Sequence, residues 1–140
     1  MRVPRNVLKN ISRVLLTAAL SFFALSAAAD NNTSTITGIY MTHDDSAKVE
    51  IYADGELCQG KALWNSRYGD VANRNILILR NLAYSPNSDS WIGKLYDPFD
   101  EREYNVAVKP LGNGELQVTP SLGSVSRKLI WHKILPTANN

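Results

Sequence analysis

The segment KVEIYADGELCQGKALW, residues 48–64, holds two strand patterns joined by one turn signal. Its first half places Val49 and Ile51 on one face and longer polar or aromatic side chains on the other, which is the period-two pattern of a half-buried strand. Asp54-Gly55 follows, and glycine accepts the positive φ angle that a tight hairpin turn requires. The segment therefore predicts a β-hairpin.

Similar runs continue along the chain, separated by turn residues such as Asp97-Pro98 and Asn113-Gly114. The predicted strands are 36–41, 48–53, 56–64, 75–83, 91–96, 103–109, 115–119 and 126–134. Residues 65–74 are predicted to form a loop. About eight strands in roughly 100 residues predict an all-β antiparallel fold. Consecutive hairpins favour a small up-and-down barrel, whose closure pairs every strand edge.

The N-terminal segment has the three parts of a secretory signal peptide. A basic stretch precedes an apolar run at 14–25, and small residues, Ala27 and Ala29, precede Asp30. The apolar run has about a dozen residues, fewer than the ~20 that a membrane-spanning helix needs. We therefore expect a signal peptide at 1–29, cleaved after about Ala29, and a periplasmic protein without a membrane span. A flexible leader at 30–35 and a single barrel domain at 36–135 would follow.

Signal cleavage changes the charge of the chain. Four of its 15 lysines and arginines, and none of its 13 acidic residues, lie in residues 1–29. The remaining eleven basic and 13 acidic residues give a net charge of −2 instead of +2. A mildly acidic domain gives no reason to expect nucleic acid as a partner.

The chain contains a single cysteine, Cys58, so it forms no disulfide within itself. Buried cysteines are the more frequent case outside disulfides, and we expect Cys58 to be buried and inert. Cys58 with His132 is the one conceivable thiol–imidazole pair, but nothing in the sequence around the cysteine would lower its pKa. No glycine-rich phosphate loop or nucleophile elbow is present, so we expect no enzyme activity and no cofactor.

Two acidic clusters are candidates for metal binding. His43-Asp44-Asp45 lies between the first two predicted strands, and carboxylates cluster again at 97–103. Neither has the ligand spacing of a zinc or calcium site, and both are typical of turns. The sequence therefore predicts no metal site, and a carboxylate-based metal or hydrolase site at 97–103 is the least favoured hypothesis.

Several segments, in this order, resemble one bacterial exported family, the domain of unknown function 2147. They are Gly38-Ile39-Tyr40, Leu57-Cys58-Gln59-Gly60, Ile78-Leu79-Arg80-Asn81-Leu82, Trp91-Ile92-Gly93-Lys94-Leu95-Tyr96-Asp97-Pro98, Tyr104, Leu116-Gln117-Val118 and Trp131-His132-Lys133. The fourth, W-x-G-x-x-Y-D-P, is the most specific. The resemblance covers about residues 37–134 and implies a small antiparallel barrel similar to lipocalins and fatty-acid-binding proteins, without implying an activity.

The chain departs from this family at two places. Asp100-Glu101-Arg102 stands where the family often has glycine after D-P, and Pro120-Ser121 stands where it often has Gly-Cys. The resemblance implies that this second cysteine would pair with the first, so the crosslink is expected to be absent here.

Five aromatic residues are candidates to line a cavity for an apolar ligand, although the narrow interior of a small barrel favours the alternative that they fill the core. They are Trp64, Trp91, Tyr96, Tyr104 and Trp131. We therefore expect a non-enzymatic periplasmic binding or accessory protein, with a small apolar or amphipathic ligand. The alternative is a filled-core module that docks on another cell-envelope protein. A lined cavity would favour the first hypothesis and a packed interior the second.

Overall fold

The computed structural model describes residues 35–134. The predicted signal peptide, the leader up to residue 34 and residue 135 lie outside the described residues. The strands are β1 (Gly38–Met41), β2 (Ala47–Asp54), β3 (Leu57–Asn65), β4 (Gly69–Asp70), β5 (Leu77–Ser85), β6 (Ser90–Asp97), β7 (Arg102–Pro110), β8 (Glu115–Leu122), β9 (Val125–Ser126) and β10 (Leu129–Lys133). A short 3-10 turn lies at Ala72–Arg74.

Eight of these strands form a closed antiparallel barrel. Each pairs with the next in the order β1, β2, β3, β5, β6, β7, β8, β10, and β10 returns to pair with β1. Closure leaves no long unpaired strand edge in this barrel, so its backbone polar groups bond within the sheet. The predicted up-and-down barrel is confirmed.

Two predicted segments differ from the structure. The predicted loop 65–74 contains β4, which pairs back on the end of β3, and the predicted strand 126–134 is divided into β9 and β10. Ile36 precedes β1 instead of belonging to it, and its side chain is fully buried in the core. Isolated two-residue pairings carry no periodic signal, which is why the sequence pattern misses them.

Alternation along the strands directs one set of side chains into the barrel. Val49 and Ile51 in β2, and Val106 and Val108 in β7, are at most 2% exposed, as their spacing predicts. The hairpin between β2 and β3 turns at Gly55, whose φ of 63° is disfavoured for residues with a Cβ.

A bulge in β5 explains the glycine of the W-x-G-x-x-Y-D-P motif. The register between β5 and β6 shifts after Arg80, where Asn81 adopts a left-handed φ of 53°. Gly93 lies beside the bulge, because a Cβ there would lie 2.6 Å from the Arg80 carbonyl oxygen and 2.9 Å from Leu82. The close approach of two strands therefore requires glycine at this position.

Gln59 holds the bulge from the neighbouring strand. Its side-chain Nε2 donates to Asn81 Oδ1 over 2.9 Å, and its Oε1 accepts a bond of the same length from the Asn81 backbone N–H. Gln59 is itself buried, and these bonds satisfy both ends of its amide. The three residues Cys58, Gln59 and Gly60 thus have structural roles, with Cys58 opposite Leu82 in the barrel.

Candidate functional site: a cavity in one half of the barrel

The barrel interior is divided into two halves. The half near the turns at 55–56, 86–89 and 111–114, called the filled half, is packed with side chains that are at most 1% exposed, including Ile51, Leu82, Trp91, Val108 and Leu116. The other half, called the open half, lies near the connections at 42–46, 66–76, 98–101 and 123–128. It contains a cavity of about 440 Å³.

The walls of the cavity are mostly apolar. Strands on all sides of the barrel contribute to them, and the wall residues include Val49, Ala62, Ile78, Leu95, Tyr104, Leu129 and Trp131. A volume of about 440 Å³ lies within the roughly 300–1,000 Å³ range of small-molecule sites, which are also mainly apolar. The cavity is therefore large enough for a small organic molecule.

The cavity reaches solvent at a mouth built from loops. Phe99, Leu122 and Val125 belong to its lining, yet 44%, 54% and 72% of their surfaces are exposed. The Arg67 guanidinium lies 5.7 Å from the ring centre of Phe99 and 5.6 Å from that of Tyr68. This cation–π contact joins two loops beside the mouth.

Polar groups on the mouth are concentrated in the β1–β2 connection. Asp44 Oδ1 accepts hydrogen bonds from Ser46 Oγ over 2.6 Å and from Thr42 Oγ1 over 3.0 Å. Partial burial would raise the pKa of Asp44, but the bonds from Ser46 and Thr42 outweigh it and lower that pKa. Asp44 is therefore ionised at neutral pH, and it fixes the shape of this loop.

The floor of the cavity is formed around Trp131. This residue lies opposite Leu116 of the filled half, and only 3% of its surface is exposed. Val49 and Ala62 face each other across β2 and β3 and line the same cavity. Within residues 35–134, Trp131 Nε1 is the only buried side-chain nitrogen or oxygen without a hydrogen-bond partner. Trp131, a residue of the cavity lining, thus carries a buried hydrogen-bond donor that the protein itself does not satisfy.

The five aromatic candidates occupy three different places. Tyr96, Tyr104 and Trp131 belong to the cavity lining. Trp91 fills the packed half, with its ring centre 5.6 Å from that of Tyr84, and Trp64 lies beside the Lys48 ammonium outside the lining. The structure brings three of them together around one cavity and separates the other two from it.

Sequence reasoning missed the aliphatic part of this site. Val49, Ala62, Leu95 and Leu129 line the cavity, but alternation identifies such residues only as inward-facing. Whether an inward residue contacts a cavity or a packed neighbour depends on the side chains from the opposite wall. Ala62 at an inward position was the available signal, since a small side chain leaves space.

The acidic turn at 97–103 is organised by its own backbone. Asp97 Oδ1 accepts the N–H of Phe99 over 2.9 Å and that of Asp100 over 3.4 Å, as expected for a turn initiator. The described part of the chain holds no group of three or more His, Cys, Asp or Glu side chains placed to bind a metal. These observations give no support to a metal or hydrolase site in this turn.

Cys58 is fully buried in the filled half, away from the cavity. Burial raises the pKa of its thiol to about 11, so the thiol is protonated at neutral pH and is a poor nucleophile. His132 pairs instead with Glu115, with Nδ1 3.2 Å from Oε1.

Between residues 35 and 134 there is no helix long and apolar enough to cross a membrane.

Comparison with solved structures supports the fold. A protein of the human pathogen Helicobacter pylori, described as belonging to the lipocalin family, superposes with a TM-score of 0.59. The two share 21% sequence identity over 71% of this chain and 83% of the other. The similarity therefore establishes a lipocalin-like barrel. Comparison with curated protein sequences gives no significant match.

The sequence itself matches a bacterial family described as "Uncharacterized protein conserved in bacteria (DUF2147)". The match extends over residues 38–133, from the start of β1 to the end of β10, and so includes every strand of the barrel. The chain therefore belongs to the DUF2147 family of bacterial proteins.

Proposed function

We propose that this protein is a non-enzymatic binding protein that holds a small apolar or amphipathic molecule in the open half of its barrel. The observation that carries the proposal is the cavity of about 440 Å³, walled mainly by apolar side chains and open at a mouth of loops. Transfer of apolar ligand surface from water to such walls supplies roughly 25 cal/mol per Å². The charged residues of the lining lie at the mouth, where the polar end of an amphipathic molecule would remain in water.

Export to the periplasm is part of the same proposal. The basic, apolar and small-residue segments of residues 1–29 support it, since they have the order of a secretory signal. The test is intact-mass analysis of the protein recovered from the periplasmic and cytoplasmic fractions. A periplasmic species that begins near Asp30 is expected, and a full-length cytoplasmic species would contradict the proposal.

Native mass spectrometry and displacement of a fluorescent fatty acid test the binding function. Protein purified from its own compartment is expected to carry a small organic molecule and, once stripped, to bind the fluorescent probe. Absence of both a bound species and probe binding would contradict the proposal.

A pair of variants links probe binding to the cavity. Ala62 lines the cavity and is 4% exposed, so Ala62→Leu should narrow the site and weaken probe binding. The control, Ala53→Leu, adds the same atoms at an exposed position outside the lining. Equal probe binding by both variants would place the probe elsewhere, and thermal melts would show whether each variant is folded.

A second function, docking on another cell-envelope protein, is favoured by the exposed apolar residues of the mouth. Tyr68, Phe99 and Val125 lie on three different connections, and Leu122 ends β8. Each of the four is at least 44% exposed. Exposed apolar patches of this kind often mark interaction surfaces. Crosslinking in intact cells tests it. A crosslinker is introduced at Val125 or, as a control, at Leu111 at the opposite end of the barrel. Crosslinks to another protein from position 125 but not from position 111 would support docking.

A further inference from the structure

Trp131, a residue of the cavity lining, carries an unpaired donor that needs an explanation. Trp131 Nε1 is buried without a hydrogen-bond partner. Burial of a polar group without a hydrogen-bond partner destabilises the folded state, and such groups are rare in native proteins. Trp131 also lines the cavity, so a molecule bound there lies against the residue that carries this donor.

The charges of the lining restrict what that molecule can present to the floor. The acidic and basic side chains of the lining are those of His43, Asp44, Asp97 and Arg127. All four lie in the connections or strand ends that form the mouth. The floor consists of the apolar lining residues that are fully buried, Val49, Ala62 and Trp131, each at most 4% exposed. An anionic group at the floor would lose its hydration without gaining a cationic partner, which is strongly unfavourable.

We propose that the ligand carries a neutral hydrogen-bond acceptor at its inner end, such as a carbonyl, ester or ether oxygen, which accepts the Trp131 indole N–H. This inference rests on the proposed binding function and specifies the chemistry of the ligand. The apolar remainder of the molecule lies along Ile78, Leu95 and Leu129 towards the mouth. Nε1 is covered by its neighbours, so binding includes a small displacement of floor side chains that allows the acceptor to reach it.

Nuclear magnetic resonance of the indole N–H groups tests the proposal directly. The chain has three tryptophans, so three indole signals are expected, and the signal lost in Trp131→Phe is that of Trp131. The protein is equilibrated separately with hexyl methyl ketone and with octane, which have the same number of carbon atoms. Both should shift signals of the cavity walls, but the ketone alone should move the Trp131 indole proton downfield.

The outcomes distinguish failure of this inference from failure of the proposed binding function. If the ketone shifts wall signals but leaves the Trp131 indole signal in place, the inference is wrong and the binding function stands. If neither compound shifts any wall signal, the binding function itself is contradicted.

Octanoate tests whether the hydrogen-bond acceptor of the ligand must be neutral. Its anionic carboxylate should stay at the mouth and leave the Trp131 indole signal unmoved. A downfield shift equal to that of the ketone would overturn the neutral-acceptor assignment.

Affinities of tryptophan variants provide a second measurement. Trp131→Phe keeps an aromatic ring and removes the donor, and it should weaken ketone binding roughly threefold to tenfold while octane binding changes little. Trp64→Phe is the matched control, since Trp64 lies outside the lining. Equal losses for ketone and octane in Trp131→Phe would show a packing role without a hydrogen bond, and would contradict the proposal.

Discussion

In the filled half of the barrel, side chains from opposite strands meet at the axis, whereas in the open half the same strands surround a cavity. Trp91 and Val108 represent the first arrangement, with at most 1% of their surfaces exposed. Leu95 and Tyr104 form an inward-facing pair four residues further along the same two strands. They line the cavity instead. Two adjacent strands thus form a packed core at one end and the wall of a cavity at the other.

Under the proposed binding function, stability and binding are therefore located in different parts of one sheet. The filled half supplies the close-packed contacts that hold the barrel closed, which allows the open half to leave apolar surface uncovered. Substitutions in the two halves should therefore have different effects.

The largest expected effect comes from truncation of a side chain in each half. Trp91→Ala should lower the free energy of unfolding by about 3–5 kcal/mol, because it leaves a large void in a packed interior. Leu129→Ala enlarges an existing cavity and should cost less, below about 2 kcal/mol, since half-buried side chains make fewer contacts to lose. Urea denaturation measures both values, and equal losses would show that the two halves contribute alike.

Two glycines of the barrel differ in the rigidity of their neighbours. Gly93→Ala should lower the free energy of unfolding by about 1–3 kcal/mol, because its Cβ would meet the Arg80 carbonyl oxygen at 2.6 Å. Gly60→Ala would meet side-chain atoms of Leu79 at 2.8 Å, and these can move more easily than backbone. Thermal unfolding should therefore rank Gly93→Ala as the less stable variant, and the reverse order would contradict the account of the bulge.

Thiol labelling compares access to the two halves. Native Cys58 should resist alkylation at pH 8, because it is buried and its pKa is raised to about 11. In a Cys58→Ala background, S121C places a thiol in the cavity lining and should be labelled much faster, with protection by a bound ligand. Mass spectrometry follows both reactions, and rapid labelling of native Cys58 would show that the filled half opens readily.

The smallest expected effect is a loss of stability in alkali. Burial raises the pKa of the Cys58 thiol in the folded state from 9.0 to about 11, so the thiol loses its proton more readily in the unfolded chain. This contribution to stability is complete below pH 9.0 and is lost as the pH rises towards about 11. Urea denaturation should show a smaller decline over this range for Cys58→Ala than for the wild-type protein, and parallel declines would contradict it.

The strands and their connections could be predicted from sequence because each depends on a local pattern. Alternation around Val49 and Ile51 and the turn residue Gly55 act over a few residues, and the barrel follows from successive hairpins. The family resemblance likewise lies within the matched residues 38–133.

The bulge and the cavity could not be predicted because each depends on contacts between distant strands. Asn81 adopts its left-handed conformation where the amide of Gln59, 22 residues earlier, can bind it. Likewise, Trp91 and Trp131 are both aromatic and inward-facing, but one fills the core and the other lines a cavity. The difference depends on which side chains lie across the barrel, and no local pattern records that arrangement.

A crystal structure of the protein equilibrated with hexyl methyl ketone would test the division of the barrel most directly. We expect electron density for the ketone in the open half, between Val49, Leu95 and Leu129, with the filled half unchanged. An empty open half, or a ketone bound only on the outer surface of the barrel, would contradict it.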